Sequence, residues 1–126
     1  MTQRLLVVDD EVFNHEFIKM VLQPLTYQVD AVTSVHQALE SINQQLPDLV
    51  IVDMVMPGLT GLDLVRLLRH NPQTKQLPLL MLSGMDSTAD MQAARHAGVD
   101  AFLAKPITAE QLRWQIAQLL ANKRSV

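Results

Sequence analysis

Apolar residues fall along the chain in short unbroken runs separated by segments of helical period. Leu5–Val8, Leu49–Val52, Leu79–Leu82 and Ala101–Ala104 are nearly continuous apolar runs. Such runs predict strands buried on both faces, as in a parallel sheet. Another run, Tyr27–Val32, places Gln28 and Asp30 at alternating positions. That alternation predicts a half-exposed strand at a sheet edge. Between the runs, Phe13, Phe17, Met20 and Val21 share one helical face, Val35, Leu39, Ile42 and Leu46 a second, and Leu62, Val65 and Leu68 a third. An alanine-rich segment from Ser87 to Ala97 predicts a fourth helix, and Leu112, Ile116, Leu119 and Leu120 form the apolar stripe of a fifth.

Helix boundaries are marked in the sequence. Ser34-x-x-Gln37 and Thr108-x-x-Gln111 match the capping box, in which a hydroxyl accepts a free backbone N–H of the first turn. Thr60-x-x-Asp63 and Ser87-x-x-Asp90 are variants of it. Pro24 and Pro72 come just after helix ends, and Gly98 stands where a left-handed cap is required. The resulting order, strand and helix in strict alternation, implies a parallel sheet with helices on both faces and right-handed crossovers. With 126 residues the chain is one domain's worth, 1–126, with its core at about 4–121 and a polar tail at Asn122–Val126.

Composition narrows the function. The net charge of −3 and the absence of any basic block weigh against direct nucleic-acid binding. Without cysteine there is no disulfide scaffold and no thiolate metal site, which fits a reducing, cytoplasmic setting. No apolar run approaches the ~20 residues of a membrane span. His15, His36, His70 and His96 have no ligand-like spacing and read as solvated helix-surface residues. The methionines read mostly as core filler, and Met56 belongs to an "MPG" turn.

Candidate chemistry gathers where the apolar runs end. In open α/β sheets ligands bind beyond the carboxyl ends of the strands. The first run leads into Asp9, Asp10 and Glu11, the third into Asp53, the fourth into Ser83 and Gly84, and the last into Lys105 and Pro106. Glu11 reads as a first-turn acid favoured by the helix dipole. At ~4 Å and an effective dielectric of ~20, two like charges repel by roughly 4 kcal/mol. Asp9, Asp10 and Asp53 against Lys105 alone leave about two uncompensated negative charges, which a hard divalent cation such as Mg²⁺ would resolve.

The segments "VVDDE", "VDMVMPG", "MLSG" and "AKPI", in this order, resemble the receiver domain of two-component response regulators. The resemblance spans about Arg4 to Leu120. It implies a flavodoxin-like, doubly wound five-stranded sheet of strand order 2-1-3-4-5. It also implies that Asp53 accepts a phosphoryl group, that Asp10, Asp53 and the Val55 carbonyl ligate Mg²⁺, and that Asp9 assists through water. Ser83 and Lys105 would each contact a phosphoryl oxygen, with the Lys105–Pro106 peptide cis. Ser83 and Phe102 would be the switch residues that alter a face formed by the fourth helix, fifth strand and fifth helix. The partners implied are a histidine kinase or phosphotransfer protein, and a downstream protein or second copy at that face.

On the fifth helix Trp114 lies about 200° from Leu112, off the core stripe, and is a candidate partner anchor or a residue packed on the fourth helix. The chain begins at Met1 and ends soon after its last helix, which favours a stand-alone receiver over part of a longer regulator. Two other readings compete. A Mg²⁺-dependent aspartyl-phosphate phosphohydrolase should carry D-x-D-x-T after the first strand, and Asp9-Asp10 lack that spacing. A flavodoxin-like electron carrier needs a hydroxyl-rich phosphate loop there, where three acids would repel FMN.

Overall fold

The computed structural model describes residues 2–122, so of the polar tail only Asn122 falls within it. Five strands alternate with five helices: β1 Arg4–Val8, α1 Val12–Leu22, β2 Gln28–Val32, α2 Val35–Gln44, β3 Leu49–Asp53, α3 Gly61–His70, β4 Leu79–Ser83, α4 Thr88–Ala97, β5 Ala101–Ala104 and α5 Ala109–Ala121. All neighbouring strands pair in parallel, in the order β2-β1-β3-β4-β5. This is the flavodoxin-like order.

Every residue of β1, β3 and β4 is buried, because successive side chains feed opposite faces of a sheet covered on both sides. Leu6, Val8, Val50, Val52, Leu79 and Met81 meet α2, α3 and α4 on one face. Leu5, Val7, Leu49, Ile51, Leu80 and Leu82 meet α1 and α5 on the other. Each fully buried aliphatic side chain contributes about 1.5–3 kcal/mol. The last strand is only half-buried and its Ala104 is exposed, contrary to the expectation of burial on both faces. The reason is its place at the second edge of the sheet.

The capping boxes at Thr60, Ser87 and Thr108 form in full. At Ser34 the hydroxyl caps Gln37 N–H, but the Gln37 side chain turns to Thr33 instead. Gly98 ends α4 with φ +118°. Glu11 is not a first-turn acid; it is the N-cap residue of α1, with no side-chain cap.

Helix α1 is rotated from its expected phase. His15, Ile18, Val21 and Leu22 are buried, whereas Phe13 and Met20 are exposed. The turn between Asp9 and Glu11 sets that phase, and His15 Nε2 closes it at 2.6 Å from the Asp9 carbonyl oxygen. His15 is therefore a buried residue and not a solvated one, unlike His36, His70 and His96. In α2 the buried residues are Val35, Ala38 and Ile42, while Leu46 falls beyond the helix end and is exposed. Met54, Met56 and Met81 fill core, but Met20, Met85 and Met91 are exposed.

Two arginines strap the layers together. Arg4 reaches Asp30, the Gln45 carbonyl and Ser41 from β1. Arg69, at the end of α3, donates to the Gly98 carbonyl at 2.8 Å, the Leu77 carbonyl at 2.7 Å and Asp100 at 2.9 Å. No helix is long and apolar enough to cross a membrane among the described residues.

Candidate functional site

The parallel ladder continues past the strand ends and carries the polar residues to one edge. Asp9 N–H donates to the Val32 carbonyl at 3.1 Å, Met54 N–H to Leu82 at 3.0 Å, and Lys105 N–H to Ser83 at 2.7 Å. Asp9, Asp10 and Asp53 thereby converge. Each offers a carboxylate oxygen, and these atoms lie within 4.8 Å of one another.

The environments of the three acids differ. Asp9 is buried, and its two oxygens accept Glu11 N–H and Asn14 Nδ2–H, each at 2.9 Å. Asp10 is half-buried and its carboxylate takes no hydrogen bond among the described residues. Asp53 is buried at the end of β3, with Lys105 Nζ 3.5 Å from its Oδ1. Burial, and then the charge of Asp9, push the Asp53 carboxyl above its ordinary value. Lys105 and the Val55 N–H only partly offset them.

Ser83 is fully buried and its hydroxyl oxygen accepts Met85 N–H at 2.9 Å, which leaves its proton available. The Lys105–Pro106 peptide is cis. Phe102 is half-buried against the core beneath α2, α3 and α4. Val55 and Met85 are about half-exposed, at 52 % and 50 %. Trp114 is 62 % exposed. It lines a cleft with Leu25 and Tyr27 of the α1–β2 connection and with Glu110, Arg113 and Ala117.

A donor set of carboxylates alone, without sulfur or imidazole, fits a hard divalent cation. Three residues matter to which sequence reading gave no part in the site, His15 among them because it was read as solvated. Asn14 and His15 hold Asp9. Gly61 donates its N–H to the Met54 carbonyl at 3.0 Å, and a Cβ there would overlap the Asp53 carbonyl oxygen. Only the glycine carries a signal, since it is a poor choice at the first position of a helix after a Thr cap.

Comparison with known proteins agrees with this geometry. The family model described as the response regulator receiver domain matches residues 5–117. The chain is 33 % identical over 121 residues to a Vibrio cholerae protein named as a probable cyclic di-GMP phosphodiesterase, covering 96 % of this chain and 27 % of that one. It is 28 % identical over 124 residues to the phosphate regulon transcriptional regulatory protein PhoB of Rhizobium meliloti, covering 98 % of this chain and 55 % of that one. The chain thus spans between about a quarter and about a half of these curated relatives. Among solved structures, the receiver domain of the sensor histidine kinase PA1611 from Pseudomonas aeruginosa superposes with a TM-score of 0.88 at 26 % identity, covering 97 % of this chain and all of that one. That structure has a magnesium ion coordinated in its active-site cleft. With its sheet order, its strand-end acids and the match over residues 5–117, the chain belongs to the receiver domain family of two-component response regulators.

Proposed function

We propose that the chain is a phosphorylation switch in which Asp53 accepts a phosphoryl group from a histidine kinase or phosphotransfer protein. The observation that carries this reading is the meeting of Asp9, Asp10 and Asp53 beside Lys105 at the carboxyl edge of the sheet. In the transfer, an Asp53 carboxylate oxygen forms a bond to phosphorus as the donor's N–P bond breaks. The electron pair stays on the donor imidazole nitrogen. A bound Mg²⁺, held by Asp10, Asp53 and the Val55 carbonyl with Asp9 reaching it through water, would neutralise charge on the phosphoryl oxygens. Lys105 supplies a fixed positive charge beside the acceptor oxygen. Ser83 would donate its hydroxyl proton to a second phosphoryl oxygen.

The output arises from the same residues. Ser83 moving toward the phosphoryl group and Phe102 turning inward would alter the face formed by α4, β5 and α5, where a downstream protein or a second copy docks. Phe102 has no hydroxyl, so packing alone decides its rotamer. Trp114 offers a separate apolar anchor on the far side of α5. The chain acts in the cytoplasm as a switch and not as a turnover enzyme. A phosphohydrolase of the aspartyl-phosphate kind would need its nucleophile after β1 in a D-x-D-x-T segment, a spacing that Asp9-Asp10 lack. The test is incubation with acetyl phosphate and Mg²⁺, then mass spectrometry of the modified peptide. Asp53 should carry the label and Asp53→Asn should abolish it; undiminished labelling of that variant would refute the reading.

A further inference from the structure

We propose that Asn14 is a positioning residue that holds Asp9 out of direct contact with the cation and so sets the preference of the site for Mg²⁺ over Ca²⁺. This rests on the metal-dependent switch proposed above. Asp9 and Asp10 are chemically identical acids at the end of one strand, and only their surroundings differ. Asp9 is fixed at four points: its N–H on Val32, its carbonyl facing His15 Nε2, and one N–H donor on each carboxylate oxygen. Of the two carboxylate donors, Glu11 N–H belongs to the backbone. Asn14 Nδ2, 2.9 Å from Asp9 Oδ2, is the side chain that holds the carboxylate. The Asp10 carboxylate is held by nothing comparable and is free to turn to an ion.

The choice of an amide matters. A lysine at this place would cancel the charge of Asp9, and an aspartate would add another. The neutral amide fixes the carboxylate and leaves its charge in the site. Mg²⁺ demands near-octahedral geometry, keeps several waters and uses one or two carboxylates, whereas Ca²⁺ takes six to eight oxygens in flexible arrangements. Holding Asp9 in the outer shell keeps the number of direct protein ligands low, which suits the smaller ion.

The experiment measures Mn²⁺ binding to the full chain by electron paramagnetic resonance, with Mg²⁺ and Ca²⁺ as competitors. It compares wild type with Asn14→Leu, which is similar in size and lacks a donor, and with Asn14→Ala. In both variants Mg²⁺ affinity should fall about tenfold, the lower range for loss of an outer-shell partner. Ca²⁺ affinity should hold or rise, so the Mg²⁺/Ca²⁺ ratio drops. A ratio reads the same folded molecules for both ions, so loss of stability alone does not move it. An unchanged ratio in either variant, with wild type binding Mg²⁺, overturns the role of Asn14 alone. Wild type that binds none of the three ions overturns the metal-dependent reading itself.

Discussion

Gly61 sits directly against the main chain of Asp53, close enough that a β-carbon at 61 would overlap the Asp53 carbonyl oxygen. The first turn of α3 is therefore seated on the end of the strand that presents the Asp53 carboxylate. Backbone cannot yield as a flexible side chain can. Gly61→Ala should cost about 1–3 kcal/mol, the usual range for overpacking. Denaturant unfolding checks this, and an unmoved midpoint would count against the packing described.

Asp53→Asn should stabilise the metal-free protein at neutral pH. The Asp53 carboxyl is raised above its ordinary 3.8, chiefly by burial, so the folded state holds that proton more tightly than the unfolded state. The group's stabilising contribution is complete below 3.8 and is lost as pH rises through the raised folded value. The advantage of the variant should be small in strong acid and grow with pH. Mg²⁺ should narrow it by binding the folded wild type. Thermal midpoints across pH, with and without Mg²⁺, are the measurement; a gap independent of pH would contradict it.

Lys105→Ala should leave Mg²⁺ binding largely intact while slowing phosphorylation of Asp53. The ammonium stands 3.5 Å from Asp53 Oδ1. Its loss removes a fixed charge from the phosphoryl position but no metal ligand. Labelling rate with acetyl phosphate, set beside metal affinity, separates the two effects. Parallel loss of both would reassign Lys105 to holding the acidic cluster together.

Phosphorylated Asp53 should be long-lived. Val55 and Met85, two residues beyond Asp53 and Ser83, are half-exposed, and neither apolar side chain can orient a water molecule. Introducing a polar side chain, Val55→Gln or Met85→Gln, should shorten the half-life measured by loss of radiolabel. Rapid hydrolysis in the wild type would remove this assignment.

Trp114→Ala should change stability by less than about 1 kcal/mol, as for a surface residue away from core packing. Acrylamide should quench the single tryptophan freely in the isolated protein and less so when a partner covers it. Poor quenching of the isolated chain would show that Trp114 is packed.

Much of the architecture was legible because burial on both faces leaves an unmistakable trace. Leu5–Val8, Leu49–Val52 and Leu79–Leu82 could hardly lie elsewhere than mid-sheet, and the polar residues at their carboxyl ends share one edge. Thr60 with Asp63 and Ser87 with Asp90 marked helix starts because a cap is a local bond. The phase of α1 was not legible. Two apolar stripes compete along that helix, and the bond from His15 to the Asp9 carbonyl, made in the folded turn, settles which one faces inward. Asn14 was hidden for the same reason, since an asparagine in a first turn carries no sign of the acid it holds. Nor could the half-burial of β5 be read from an apolar run, because edge position belongs to the sheet and not to the strand.

The Arg69 strap has a mechanical consequence. It ties α3 to the Gly98 carbonyl at the carboxyl end of α4, and the buried residues of α4, Ala94 and Ala97, lie near that same end. At the opposite end, next to Ser83, residues Gly84 through Ala89 are exposed. Helix α4 is thus held at Gly98 and exposed at the end that follows Ser83. Amide exchange along α4 should therefore be slowest near Ala94 and Ala97 and faster toward Thr88.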